Sequence, residues 1–230
     1  MIALIAASLA AAAPAANACP DVVTPDALIC RAIRAQAASD PTAAAQAFEA
    51  AALASSEKDP ATARMWAAAG NMWIAAGQYG KAALDLDRAL ALPGLEAEQL
   101  GEALLDRARA AEALNDLKTA RAKLTLAAPS IAEDPFYWYF SAALAIREGD
   151  KTTAQSSINR ALVLAPGDAM ILFEAGHVWH FSGDEAKARD YWTRAAAADP
   201  EGEVGKLARA ANAMLAAPAT APPKPESPKP

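Results

Sequence analysis

The chain has 230 residues, 54% of them hydrophobic but only 6% aromatic, and 21 basic side chains against 27 acidic ones give a formal charge of −6. Sixty-seven alanines supply most of the apolar fraction; this is a helix-forming composition, too poor in β-branched and aromatic residues for an extensive sheet. The acidic balance argues against nucleic-acid binding, which needs a basic face, and two cysteines are too few for a disulfide scaffold or a Cys-rich zinc site.

Residues 1–18 read as an export signal. Met1 to Pro20 carries no charged side chain, Ile2 to Ala13 is apolar, Pro14 breaks the run, and Ala16-Asn17-Ala18 supplies small residues for cleavage. About twelve apolar residues rise only about 18 Å as a helix, short of a bilayer core. The segment lacks the Lys or Arg usual near the start of such signals, so an ordinary Ala-rich start remains the alternative. Cleavage after Ala18 would make Cys19 the new N-terminus. A lipid anchor there is weighed against Ala16, which stands where lipoprotein signals usually carry Leu. In an oxidising compartment Cys19 and Cys30 are a disulfide candidate, with two free thiols as the alternative.

From residue 26 onward, apolar residues recur at three- and four-residue spacing in blocks separated by short Pro, Gly, Asp or Asn signals, predicting a succession of amphipathic helices. Asp-Pro at Asp40-Pro41, Asp59-Pro60, Asp134-Pro135 and Asp199-Pro200 predicts capped helix starts, with Asp168 as a further cap. The segments Gly77 to Ala82, Asn115 to Ala120, Gly149 to Ala154 and Gly183 to Ala188 align at spacings of 38, 34 and 34 residues. In this frame a small residue stands twelve before the aligned Ala (Gly70, Ala108, Ala142, Gly176) and a large one sixteen before (Trp66, Leu104, Trp138, Leu172). A large apolar residue follows at four (Leu86, Leu124, Ile158, Trp192) and Ala at seven (Ala89, Ala127, Ala161, Ala195). Small residues let facing helices approach closely.

This arrangement resembles the tetratricopeptide repeat, whose terminal Pro falls at Pro166 and Pro200, with Pro93 and Pro129 slightly early. The fold expected is all-α, an α-solenoid of stacked antiparallel hairpins. Four repeats are expected at about 63–94, 101–132, 135–166 and 169–200, within 61–200. Residues 19–60 are expected to be an N-terminal capping region whose helical pair lacks the motif. Residues 201–216 form a final capping helix, and 217–230, with six prolines in the last thirteen residues, a disordered, polyproline-like tail.

The resemblance implies a concave groove lined by the first helix of each repeat. Carried over position by position, it holds Arg64, Ala67, Asn71 and Ile74, then Glu102, Leu105, Arg109 and Glu112, then Phe136, Tyr139, Ala143 and Ile146, and last Met170, Phe173, His177 and His180. Its first half is charged and its second aromatic. Trp138 is expected to serve the core while Phe136 and Tyr139 face the groove. Asn71 matches one position of a carboxylate clamp known in the family, but Ala67 and Arg109 do not complete it. Arg64 and Arg109 are expected to meet an acidic ligand, or else Glu102 and Glu112.

No nucleotide loop, nucleophile elbow or HExxH motif is present, so no catalysis and no cofactor are expected. The function expected is a protein-interaction scaffold of the bacterial cell envelope, periplasmic or secreted, holding a peptide in the groove. A subunit of an envelope assembly complex, docking by its convex face or a peripheral or lipid-anchored N-terminus, is the alternative. Metal binding through His177 and His180 ranks third, because a zinc site wants at least three ligands.

Overall fold

A computed structural model describes residues 19–216; the export signal and the Pro-rich tail read from the sequence lie outside the described residues. Among the described residues the regular structure is helical: α1 (Pro25–Ala37), α2 (Pro41–Leu53), α3 (Pro60–Ala75), α4 (Tyr79–Ala91), α5 (Ala97–Ala113), α6 (Leu117–Ile131), α7 (Pro135–Glu148), α8 (Lys151–Leu164), α9 (Ala169–Ser182), α10 (Glu185–Ala198) and α11 (Glu203–Ala216). Each helix packs on the next, while α3 also meets α5, α7 meets α9, and α9 meets α11. The result is a solenoid with first helices on one side and second helices on the other.

Local chemistry sets the helix starts. The carboxylates of Asp40, Asp59 and Asp134 accept backbone N–H groups two or three residues on, with Pro at the first helical position. Asp116, Asp150, Asp168 and Asp184 cap α6, α8, α9 and α10 in the same way. These hydrogen bonds favour the ionised caps, holding Asp116, Asp150 and Asp184 below the ordinary carboxylate range. Asp199-Pro200 departs from the expectation: Asp199 ends α10, its carboxylate accepts the N–H of Gly205, and α11 starts only at Glu203. Pro129 lies inside α6, in its last turn, rather than between helices. It is exposed there, where water can satisfy the carbonyl its missing N–H leaves free.

Each hairpin turns through one left-handed residue, and the five positions are equivalent. Ser39 (φ 56°), Gly77 (69°), Asn115 (63°), Gly149 (78°) and Gly183 (89°) all stand five residues before the aligned Ala. The series shows that α1–α2 carries the motif after all. Leu28, Ala32, Ala44, Phe48 and Ala51 occupy the same offsets as Trp66, Gly70, Ala82, Leu86 and Ala89, and all five are buried. Its turn position is filled by serine, which removed the glycine signal.

Packing follows the small-against-large pairing. A Cβ on Gly176 would collide with the indole of Trp192, and one on Gly70 would sit 2.5 Å from Leu86 Cγ. Trp66, Leu104 and Leu172 are buried as expected. Trp138 is only half-buried, its indole N–H donating to the Ala132 carbonyl at 2.7 Å, while Tyr137 and Phe140 take the core-facing positions of α7. Ile74, expected in the groove, is buried between α3 and α4. α6 and α7 meet through one apolar cluster, in which Leu124, Ala127 and Ile131 pack with Tyr137, Phe140 and Leu144. Side-chain bonds reinforce that junction: Arg121 reaches Glu148 at 2.5 Å and Ser141 at 3.2 Å, and Arg147 binds Glu112 and Asn115.

A buried polar group sits between α2, α3 and α4. The Trp73 indole N–H donates to Glu49 at 2.8 Å, Lys81 lies over the Trp73 ring, and Arg88 bonds one oxygen of Asp85 at 3.1 Å. Asp85 is 1% exposed and its second oxygen has no donor among the described residues. Burial, followed by the hydrogen bond and negative charge of Glu49, pushes Asp85 up to about 7, with Arg88 pulling the other way.

Two outcomes are expected. Ser39→Gly relieves a left-handed L-residue and stabilises the chain by about 1 kcal/mol in urea unfolding. The fold keeps Asp85 protonated above the pH at which the unfolded chain ionises it. Its contribution therefore makes stability fall as pH rises from the ordinary carboxylate range to about 7 and stay lower above. The slope is at most about 1.4 kcal/mol per pH unit. Asp85→Asn keeps the neutral shape, so denaturation at several pH values is expected to show a flatter profile and a more stable protein at pH 8.

Candidate functional site

The concave side holds an open cavity of about 480 Å³ walled by α3 and α5, with Gln36 at one end and Phe136 at the other. Its lining brings together Arg64, Asn71, Arg109 and Phe136. The spacing of each explains the gathering: residues three or seven apart on α3 and α5 share one helix face.

Within the cavity the polar groups are largely bound to one another. Asn71 donates to Asp106 Oδ2 at 2.7 Å, and Arg109 donates to Asp106 Oδ1 at 2.8 Å. Arg109 thus pairs with Asp106 and lies over the Phe136 ring at 5.4 Å, rather than meeting Glu102 or Glu112. Glu112 is taken by Arg147 of α7. Arg64 is exposed and donates to the Gly94 carbonyl at 3.3 Å, with no carboxylate partner among the described residues. Glu102 is exposed, and partial desolvation, then the nearby charges of Glu98, Asp106 and Asp134, raise its pKa. A carboxylate clamp does not form, because Asp106 already occupies Asn71 and Arg109.

The aromatic half is built on α7 and α9. Phe136 and Tyr139 stack with centroids 5.3 Å apart. Burial first, and then the charge of Glu174, pushes the Tyr139 hydroxyl up to about 12, so it stays a neutral donor at ordinary pH. Phe173 meets His177 edge-on at 4.4 Å, and His177 and His180 both approach the Trp192 ring. Met170 is exposed at the start of α9. Met170, Phe173, His177 and His180 are not part of the cavity wall; they continue the face beyond Phe136 and Tyr139. His177 Nδ1 faces Glu174 at 3.3 Å and His180 Nδ1 faces Glu185 at 3.0 Å, so each ring has its own carboxylate. Among the described residues no group of three or more His, Cys, Asp or Glu side chains is placed to hold a metal ion.

At the N-terminal end Cys19 and Cys30 are joined in a disulfide, which ties the segment before α1 to its second turn. Arg31 adds hydrogen bonds to the carbonyls of Pro20 and Val22 at 2.7 and 2.8 Å. Among the described residues no helix is long and apolar enough to cross a membrane.

The tetratricopeptide repeat family matches residues 96–221, more than half of the chain. The chain belongs to this family. No curated protein matches it in sequence. The tetratricopeptide fold is shared with solved structures of low identity. YrrB, a TPR protein with an unusual peptide-binding site, superposes with a TM-score of 0.59 at 20% identity, over 80% of this chain and 91% of that one. PilW, a type IV pilus biogenesis factor, gives 0.67 at 17% identity over 80% and 81%. PilF of Pseudomonas aeruginosa gives 0.65 at 16% identity over 83% of each chain.

Sequence reasoning missed Asp106, the residue that organises this tetratricopeptide groove. Its spacing of three from Arg109 was a usable signal for that pair. Its bond to Asn71 spans 35 residues and is visible only once α3 and α5 are packed. Gln36, Gln99 and Asp134 line the cavity for the same reason, from different repeats.

Proposed function

We propose that this tetratricopeptide protein is a non-catalytic scaffold of the bacterial cell envelope that holds a peptide or protein segment in its concave groove. The observation that carries this reading is the cavity of about 480 Å³, where the exposed Arg64 and Glu102 stand near an aromatic pair, Phe136 and Tyr139. Aromatic anchors beside a few oriented polar groups are what peptide recognition uses. YrrB, of the same fold, is a TPR protein with a peptide-binding site. Tyr139 offers a neutral hydroxyl and Arg109 a guanidinium fixed by Asp106 and Phe136, so little side-chain entropy is lost on binding.

An exported location is part of the proposal. It is supported by the uncharged, apolar residues 2–13 followed by Ala16-Asn17-Ala18, and by the pairing of Cys19 with Cys30, since disulfides persist in oxidising compartments. A second reading, a subunit of an envelope assembly complex, draws on the exposed Leu84, Leu126 and Val163 of the second helices, which leave apolar contacts on the convex side. The pilus biogenesis factor PilW has this fold.

Two measurements test these readings. Phe136→Ala with Tyr139→Ala is expected to cut partner capture from envelope extract ~30-fold while helix content by circular dichroism stays unchanged. Arg64→Glu, at an exposed position, is expected to weaken capture with no effect on folding. Undiminished capture by both variants would instead support convex docking. Intact mass from the native host is expected to begin at Cys19, lighter by two hydrogens than the reduced form. A lipidated Cys19 would place the chain on a membrane, and an intact Met1 would end the export reading.

A further inference from the structure

We propose that the groove has an occupant within this same chain: the Pro-rich segment 217–230 docks along the aromatic half of the concave face and competes there with the external partner. This rests on the reading of the groove as a peptide site.

The first argument is where the segment begins. The last described helix, α11, packs against α9 and α10, and its Ala211 and Leu215 belong to the same apolar cluster as Trp179 and Trp192. The described chain therefore ends, at Ala216, beside the C-terminal half of α9.

The second argument is reach. Fourteen residues in a polyproline helix span about 43 Å at about 3.1 Å each. The length of α9 is about 21 Å, and a neighbouring helix lies about 10 Å away. The segment is thus long enough to run from His180 past His177 and Phe173 to Tyr139 and Phe136 on α7.

The third argument is complementarity. A proline-rich strand loses little entropy on binding, and it fits aromatic-lined surfaces such as the one made by Phe136, Tyr139, Phe173 and His177. The side chains of His177 and His180 keep 40% and 51% of their exposure, and Met170 keeps 43%. The segment carries Lys224 and Lys229 against Glu226. At the Phe136 end of the groove Glu102 and Asp134 have no cationic partner among the described residues, while Asp106 is taken up by Asn71 and Arg109. A tethered ligand acts at an effective concentration near the millimolar range, so weak contacts are enough to compete.

The test uses the full chain with Ser227→Cys carrying a nitroxide label, both native cysteines staying in their disulfide. Paramagnetic broadening is expected for the Met170 methyl and the rings of Tyr139, Phe173 and His177, unchanged on dilution, while the Leu84 and Leu126 methyls stay sharp. Introducing Lys224→Glu and Lys229→Glu into the labelled chain is expected to reduce the broadening. Sharp groove resonances would overturn the proposal, as would broadening that fades on dilution, which would mean a second copy, or broadening confined to the convex leucines. A chain ending at Ala217 is expected to capture the external partner ~10-fold better than the full chain. Equal capture together with sharp groove resonances removes the tail from the groove but leaves the peptide site intact. Broadened groove resonances together with undiminished capture by Phe136→Ala with Tyr139→Ala remove the external-partner reading instead.

Discussion

The close approach of the two helices in each hairpin is the constraint on which the rest depends. A residue with little or no side chain must lie under a large one: Gly176 under Trp192, Gly70 under Leu86, Ala142 and Ala108 at the matching places. Where that distance is kept, the next first helix can settle into the notch left by a late alanine, and the first helices line up along one side. A chain with 67 alanines meets this demand nearly everywhere. Bulk is then concentrated in a few aromatic side chains, which fill the core at Trp66, Trp73 and Trp192 and line the concave face at Phe136 and Tyr139.

Electrostatics on that face are settled mostly within the protein. Asp106 holds Asn71 and Arg109 together across two repeats, and Glu112 is drawn into the bond with Arg147. Such partly exposed pairs add little stability individually. Their effect is to fix orientation, so that the cavity offers a guanidinium clamped between a carboxylate and an aromatic ring rather than a free charge. Asp85, more deeply buried than Glu174, lies away from the groove, between the first two hairpins, where its ionisation bears on the stability of the stack and not on ligand contact.

The fold was legible because its signals are local and periodic. Glycine at Gly77, Gly149 and Gly183 marked three turns, and aspartates before prolines marked the starts of α2, α3 and α7. The helical pair α1–α2 was read, but its repeat motif escaped notice because Ser39 adopts a left-handed conformation that sequence rules assign to glycine or asparagine. Asp199-Pro200 misled because a cap needs a helix directly after it, whereas Gly202 lets the chain turn tightly around the Asp199 carboxylate before α11 begins, and Gly205 in its first turn packs against the Asp199 carbonyl. The groove was legible as a set of positions but not as a set of partners. Asn71 and Asp106 are 35 residues apart, and the choice of Asp106 over Glu102 or Glu112 for Arg109 depends on how two helices are rotated against each other.

The contact between α6 and α7 joins the two halves of the concave face. In an array where each hairpin touches only its neighbours, cooperativity passes from unit to unit through those interfaces. Here Leu124, Ala127 and Ile131 of α6 share one buried apolar cluster with Tyr137, Phe140 and Leu144 of α7, and Arg121 bridges to Glu148 across the same contact. The polar and aromatic portions of the concave face lie on either side of this seam, so the ordering of one half is coupled through it to the ordering of the other.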